Sequence, residues 1–156
     1  MSVTIYVDGD ACPVREEVFR VADRLGLAVV VVSNGSRPIR PTGRANVTMV
    51  VVEAGADVAD DYIAARIGEQ DCCVTADIPL AARCLARGAR ALSPSGHHWT
   101  ADNIGSALAG RALNAHLREL GVGGGGNAPM TKQAKSQFLS ALDTAVQALL
   151  RKKPNG

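Results

Sequence analysis

The sequence predicts a three-layer α/β fold on a mainly parallel sheet, and three observations carry that expectation. Short apolar runs recur in the first part of the chain: "VTIYV", "LAVVVVS", "VTMVVV", "CCVTA" and "ARALS". They are continuous and rich in β-branched residues rather than alternating, which suits strands covered on both faces. Helical patterns fall between most of them, giving the order strand, helix, strand, strand, helix, strand, helix, strand. In such a sheet, ligand sites form beyond the carboxyl ends of the strands.

Each element has its own local reason. "PVREEVFRVADRLG" places Pro13 at a helix start, Val14, Val18, Val21 and Leu25 on one stripe, and Gly26 as the stop, completing a βαβ unit. A second helix is expected to begin near Asp57 in "GADVADDYIAARIGEQ", and a third near Asp77 in "ADIPLAARCLARG", ending at Gly88. After Leu92 the chain reads as a loop and then a helix capped by Thr100 or Asp102. "GVGGGGNAPMTK" interrupts it; the G-K-[S/T] ending of a phosphate loop is absent, so residues 121–130 read as a Gly-rich connector. The last helix, 131–153, spaces Phe138, Leu142, Val146 and Leu149 or Leu150 along one face and is expected to pack on the sheet or on a partner subunit, making a homo-oligomer.

At 156 residues the chain is expected to form a single domain over 1–156. Its formal net charge of +2 is too mild to identify a nucleic-acid partner. The opening residues lack the pattern of a signal peptide, and no run approaches the roughly 18 apolar residues of a membrane span, so no membrane partner and a cytoplasmic location are expected. The four cysteines, at 12, 72, 73 and 84, have neither C-x-x-C spacing nor a histidine at zinc-ligand distance in sequence. Cys72 and Cys73 read as strand core, whereas Cys12 reads as a residue that can be exposed in the loop after the first strand, with no base identifiable beside it.

The acids carry the sharpest signal. Asp8 and Asp10 follow the first strand, Asp57, Asp60 and Asp61 occupy a helix start at i, i+3 and i+4, and Asp77 follows "CCVTA". Asp57 and Asp77 each stand where an N-cap is wanted, and taken singly each is explained by capping. Asp8 and Asp10 are different, because adjacent carboxylates after a buried strand repel unless a cation or hydrogen-bond donors offset them. Carboxylate oxygens without histidine or thiolate suit Mg²⁺ or Mn²⁺. "SNGSRPIRPTGRANV" supplies Asn34, Ser36, Arg37, Arg40 and Arg44 as candidate phosphate contacts, or else as a solvated basic loop. Thr75 stands where it can orient a water or a ligand carboxylate. His97, His98 and Trp99 read as a loop anchored on an apolar patch, with an aromatic face for a base as the alternative.

Taken together, "VDGDACP", "VVSN", "AGADVADDYI", "VTADIPLAARCLARGARALSPSG" and "WTADNI" resemble the YaiI/YqxD family of uncharacterised bacterial proteins, in order and over essentially the whole chain. The resemblance implies kinship with PIN-like domains, named after the PilT N-terminus, many of which are metal-dependent nucleases. It implies a PIN-like α/β domain with a C-terminal helical extension. It marks Asp8, Asp10, Cys12, Pro13, Asn34, Asp57, Asp60, Thr75 and Asp77, with Asp61 fitting less securely.

The leading expectation is therefore a nuclease or phosphodiesterase acting on RNA or DNA. Asp8, Asp10 and Asp77, with Asp57 or Asp60, would hold Mg²⁺ or Mn²⁺, and Arg37 and Arg40 would position the backbone, beside Asn34, Ser36 and Thr75. One alternative is a non-catalytic PIN-like module that binds nucleic acid or protein. A lower-ranked one is a phosphatase of the haloacid dehalogenase type, with Asp8 as nucleophile and Asp10 as general acid; no lysine before position 132 supports it.

Overall fold

A computed structural model describes residues 3–9, 12–35, 42–55, 57–119 and 131–151, excepting the side chains of 111–119. Asp10, Ser36, Arg37, Arg40 and the connector 121–130 lie outside the described residues. The chain runs β1 (Thr4–Asp8), α1 (Arg15–Leu25), β2 (Ala28–Ser33), β3 (Val47–Val51), α2 (Val58–Arg66), β4 (Cys72–Val74), α3 (Ile78–Ala86), β5 (Arg90–Leu92), β6 (His98–Trp99), α4 (Ala101–Glu119) and α5 (Lys132–Arg151). The strands form one sheet in the order β3-β2-β1-β4-β5-β6. All neighbouring pairs are parallel except β5 with β6.

The continuous apolar runs are explained by burial on both sides. Along β1, Ile5 and Val7 enter one core cluster with α1 and α5, while Tyr6 faces a second cluster with α2 and α3. Helix α1 stops at Gly26, whose left-handed backbone (φ 68°) lets its N–H reach the Ala22 carbonyl. Pro13 lies just ahead of this helix rather than inside it, with Val14 at the N-cap. Helix α5 packs on the same face of the sheet as α1 and buries Phe138, Leu142, Val146 and Leu149, whereas Leu150 remains exposed. Arg24 of α1 pairs with Asp143 of α5 at 2.6 Å. The last helix therefore closes this chain's own core, one of the two roles its sequence allowed.

The segment read as a loop, His97–Trp99, departs from that expectation. His98 and Trp99 form β6, and Trp99 packs into the second cluster. A turn closed by Ser93 makes the reversal: its N–H donates to the His97 carbonyl at 2.9 Å, and its hydroxyl accepts from the His97 N–H at 3.0 Å. A two-residue strand is too short to show periodicity. Helix α4 then starts with a reciprocal cap, in which the Asn103 N–H donates to Thr100 Oγ1 (3.2 Å) and the Thr100 N–H to Asn103 Oδ1 (2.8 Å). The cap is Thr100, not Asp102. Among the described residues no helix is long and apolar enough to cross a membrane.

Candidate functional site

After β1 the chain builds outward through β2 and β3, then crosses back to place β4 on the other side of β1. This reversal leaves a crevice at the carboxyl ends of β1 and β4, where open α/β sheets bind ligands. Asp8 is the last residue of β1, and Thr75 follows the last residue of β4. Thr75 is 1 % exposed, and its N–H is tied to the Leu92 carbonyl of β5 at 3.0 Å. Its hydroxyl donates to Asp8 Oδ2 at 3.0 Å and accepts from the Asp77 N–H at 2.9 Å. One buried hydroxyl thus fixes both a carboxylate of β1 and the backbone that delivers Asp77.

Asp77 caps α3, its Oδ1 accepting from the Leu80 N–H at 3.1 Å. The capping explanation is therefore satisfied in space, and the carboxylate is aimed as it would be by a cap. Asp57 behaves differently. It precedes α2 with a left-handed backbone (φ 69°), the single non-glycine with positive φ among the described residues, and its side chain makes no capping bond. Capping does not explain that side chain; its backbone carbonyl, which accepts from the Asp61 N–H at 2.8 Å, does the local work.

Asp60, in the first turn of α2, faces the same crevice. Its carboxyl is pushed up to about 6, first by burial and then by the charges of Asp77, Asp8 and Asp57, with Arg83 pulling the other way. A helix N-terminus would ordinarily favour an ionised acid, so burial and like charge outweigh it here. Asp61, one residue on, turns to Arg83 of α3 at 2.7 Å and does not join the others, although its i+4 spacing from Asp57 suggested a shared face.

The remaining candidates separate by position. Asn34 directly follows β2, at the same end of the sheet. Arg44, read as a candidate phosphate contact, lies before β3 at the opposite end, where it pairs with Asp23 and sits 5.6 Å over the Phe19 ring. Cys12 is buried in the core against α1 rather than exposed, and burial above all pushes its thiol up to about 11. It is a packing residue, inert as a nucleophile at neutral pH. No pattern in the chain marked Arg83, since pairing between helices follows no period, nor Arg15, which donates to the Gly9 carbonyl at 3.0 Å and so ties α1 to the residue after β1.

Among the described residues no three acids, histidines or cysteines are grouped closely enough to encage a metal ion. The arrangement instead offers oxygen ligands from separate segments around a crevice. That donor set fits Mg²⁺ or Mn²⁺, which bind through one or two carboxylates and keep several waters.

A family model described as "Uncharacterized BCR, YaiI/YqxD family" matches residues 6–148. A UPF0178 protein of Parvibaculum lavamentivorans is 53 % identical over 150 residues, covering 96 % of this chain and 97 % of its own. UPF0178 proteins of Rhodospirillum centenum (50 % over 151 residues, 94 % and 97 % covered) and Mesorhizobium japonicum (48 % over 153 residues, 98 % and 97 % covered) are similar throughout. No solved structure matches the chain.

Proposed function

The chain belongs to the uncharacterised YaiI/YqxD family, and from that premise we propose that it is a divalent-metal-dependent nuclease or phosphodiesterase acting on RNA or DNA. The observation that carries this reading is the convergence of Asp8, Asp57, Asp60 and Asp77 on the β1–β4 crevice, with Thr75 holding two of them in place. The charges of Asp77, Asp8 and Asp57 all act on Asp60; a cation would offset them, and a cation is what a phosphodiester-cleaving site requires.

In this proposal Asp8 and Asp77, with Asp57 or Asp60, would hold Mg²⁺ or Mn²⁺; Asp10 follows Asp8 closely enough in sequence to take part. When bound, the ion supplies charge stabilisation at the phosphoryl group and activation of a water. Thr75 keeps Asp8 in one orientation, so the site is formed before the ion arrives. Asn34, directly after β2, contacts the nucleic-acid backbone, and Ser36, Arg37 and Arg40 are assigned the same role from their place in the sequence alone.

The test is incubation of single-stranded RNA and DNA oligonucleotides with wild type and Asp8→Asn in Mg²⁺, Mn²⁺ or chelator, after circular dichroism has shown both to be folded. Metal-dependent cleavage reduced at least about a hundredfold in the variant supports the reading. Cleavage unchanged in Asp8→Asn overturns it. Saturable nucleic-acid binding without product in any metal replaces it with a non-catalytic PIN-like binding module.

A further inference from the structure

The far edge of the sheet has no role in the site. β3 bonds to β2 through its even-numbered neighbours: the Asn46 carbonyl accepts from the Val29 N–H at 2.9 Å, and the Val52 N–H donates to the Ser33 carbonyl at 2.8 Å. The register between these bonds is regular, from Val29 opposite Val47 to Ser33 opposite Val51. In a parallel ladder, bonding and non-bonding residues alternate along a strand, so the N–H and C=O groups of Val47, Met49 and Val51 point away from β2. No strand lies beyond them among the described residues. Edge strands are normally blunted by charge, proline or a bulge, and "VTMVV" has neither charge nor proline. Both faces are apolar here, with Val47 and Met49 against one core cluster and Val50 and Val52 against the other. Val51 is 70 % exposed, the most exposed large apolar side chain among the described residues.

We propose that this edge pairs antiparallel with the same edge of a second copy of the chain, about a twofold axis at Met49. The outward groups fit that axis: Met49 faces Met49, a pair that exchanges both hydrogen bonds, and Val47 faces Val51 of the partner subunit, where the Val47 carbonyl accepts while its N–H stays on the Arg44 carbonyl at 3.3 Å. Val47, Met49 and Val51 share one face, so the apolar surface continues across the axis.

Charge selects the second copy over an unrelated strand. Glu53, exposed, follows β3 by two residues, and Arg44 precedes it by three. Antiparallel pairing at Met49 sets Glu53 of the partner subunit opposite Ala45, beside Arg44. There a cleft is lined by Arg20, Arg24 and Arg44, with Asp23, Val21 and Leu139. Arg44 and Arg24 are already paired with Asp23 and Asp143, so Arg20 gives the cleft its excess positive charge. The same contact recurs on the other side of the axis, as an isologous interface requires.

Sedimentation equilibrium of the full chain over a dilution series tests the proposal. Wild type is expected to be a dimer, and Val51→Lys, which changes an exposed side chain, a monomer with unchanged circular dichroism. Glu53→Arg is expected to raise the dissociation constant at least about tenfold, with recovery in Glu53→Arg/Arg20→Glu. A wild type that stays monomeric throughout, or a dimer indifferent to Glu53→Arg, overturns it; should Val51→Lys misfold, the Glu53 variants decide.

Discussion

The hydroxyl of Thr75 on the β4 side donates to Asp8 Oδ2 of β1 at 3.0 Å, across the point where the strand order reverses. Thr75→Val keeps the shape but removes this donor and the acceptor for the Asp77 N–H. The variant is expected to lose about 1–2 kcal/mol in denaturant unfolding, because buried polar groups lose a partner. Its Mn²⁺ affinity is expected to fall about ten- to a hundredfold by calorimetry, the usual effect of removing a group that orients a ligand.

Asp60 gives a pH dependence of definite sign. Its folded-state carboxyl titrates near 6 against 3.8 without the fold, so between those values the folded chain binds more protons than the unfolded one. Stability from this group is greatest below the lower value, falls as pH rises through the window, and is flat above it. Asp60→Asn removes this dependence. Because the side chain is only half-buried, screening reduces the gain, and the variant is expected to exceed wild type by about 1 kcal/mol near pH 8 and to match it near pH 4. Urea unfolding at the two pH values measures the difference.

Asp61 is the control for Asp60. Its bond to Arg83 is solvent-exposed, and exposed pairs contribute about 0–1 kcal/mol. Asp61→Asn is expected to leave Mn²⁺ affinity within about twofold of wild type, an allowance within the energy of such a pair, whereas Asp60→Asn lowers it. Equal losses in both variants would show that the two acids act alike.

Helix α5 is expected to be indispensable to the sheet domain. Phe138 and Leu142 are fully buried against α1 and the sheet. Phe138→Ala is expected to cost about 3–5 kcal/mol and Leu142→Ala about 2–5 kcal/mol. A single unfolding transition shifted by either change checks this; a separate early transition would show α5 to be an appendage.

Much of this architecture was legible in the chain because burial writes itself into sequence. The short apolar runs located β1 to β5, and the stripe of Phe138, Leu142, Val146 and Leu149 located the inner face of α5. Asp8, Asp57, Asp60 and Asp77 were legible as strand-end and helix-start acids. What escaped was decided by tertiary context. β6 exists because Trp99 finds the second core cluster. Asp57 adopts a left-handed backbone, which its residue type tolerates but does not dictate. Asp61 turns to an arginine on a different helix, and Arg44 to α1, because partners across elements leave no periodic trace.

The most direct measurement is calorimetric titration of Mn²⁺ into wild type and Asp8→Asn, both shown to be folded. Saturable binding by wild type that is lost or weakened at least about tenfold in the variant is the expected result. No binding by wild type, or equal binding by both proteins, would contradict a cation site at the β1–β4 crevice.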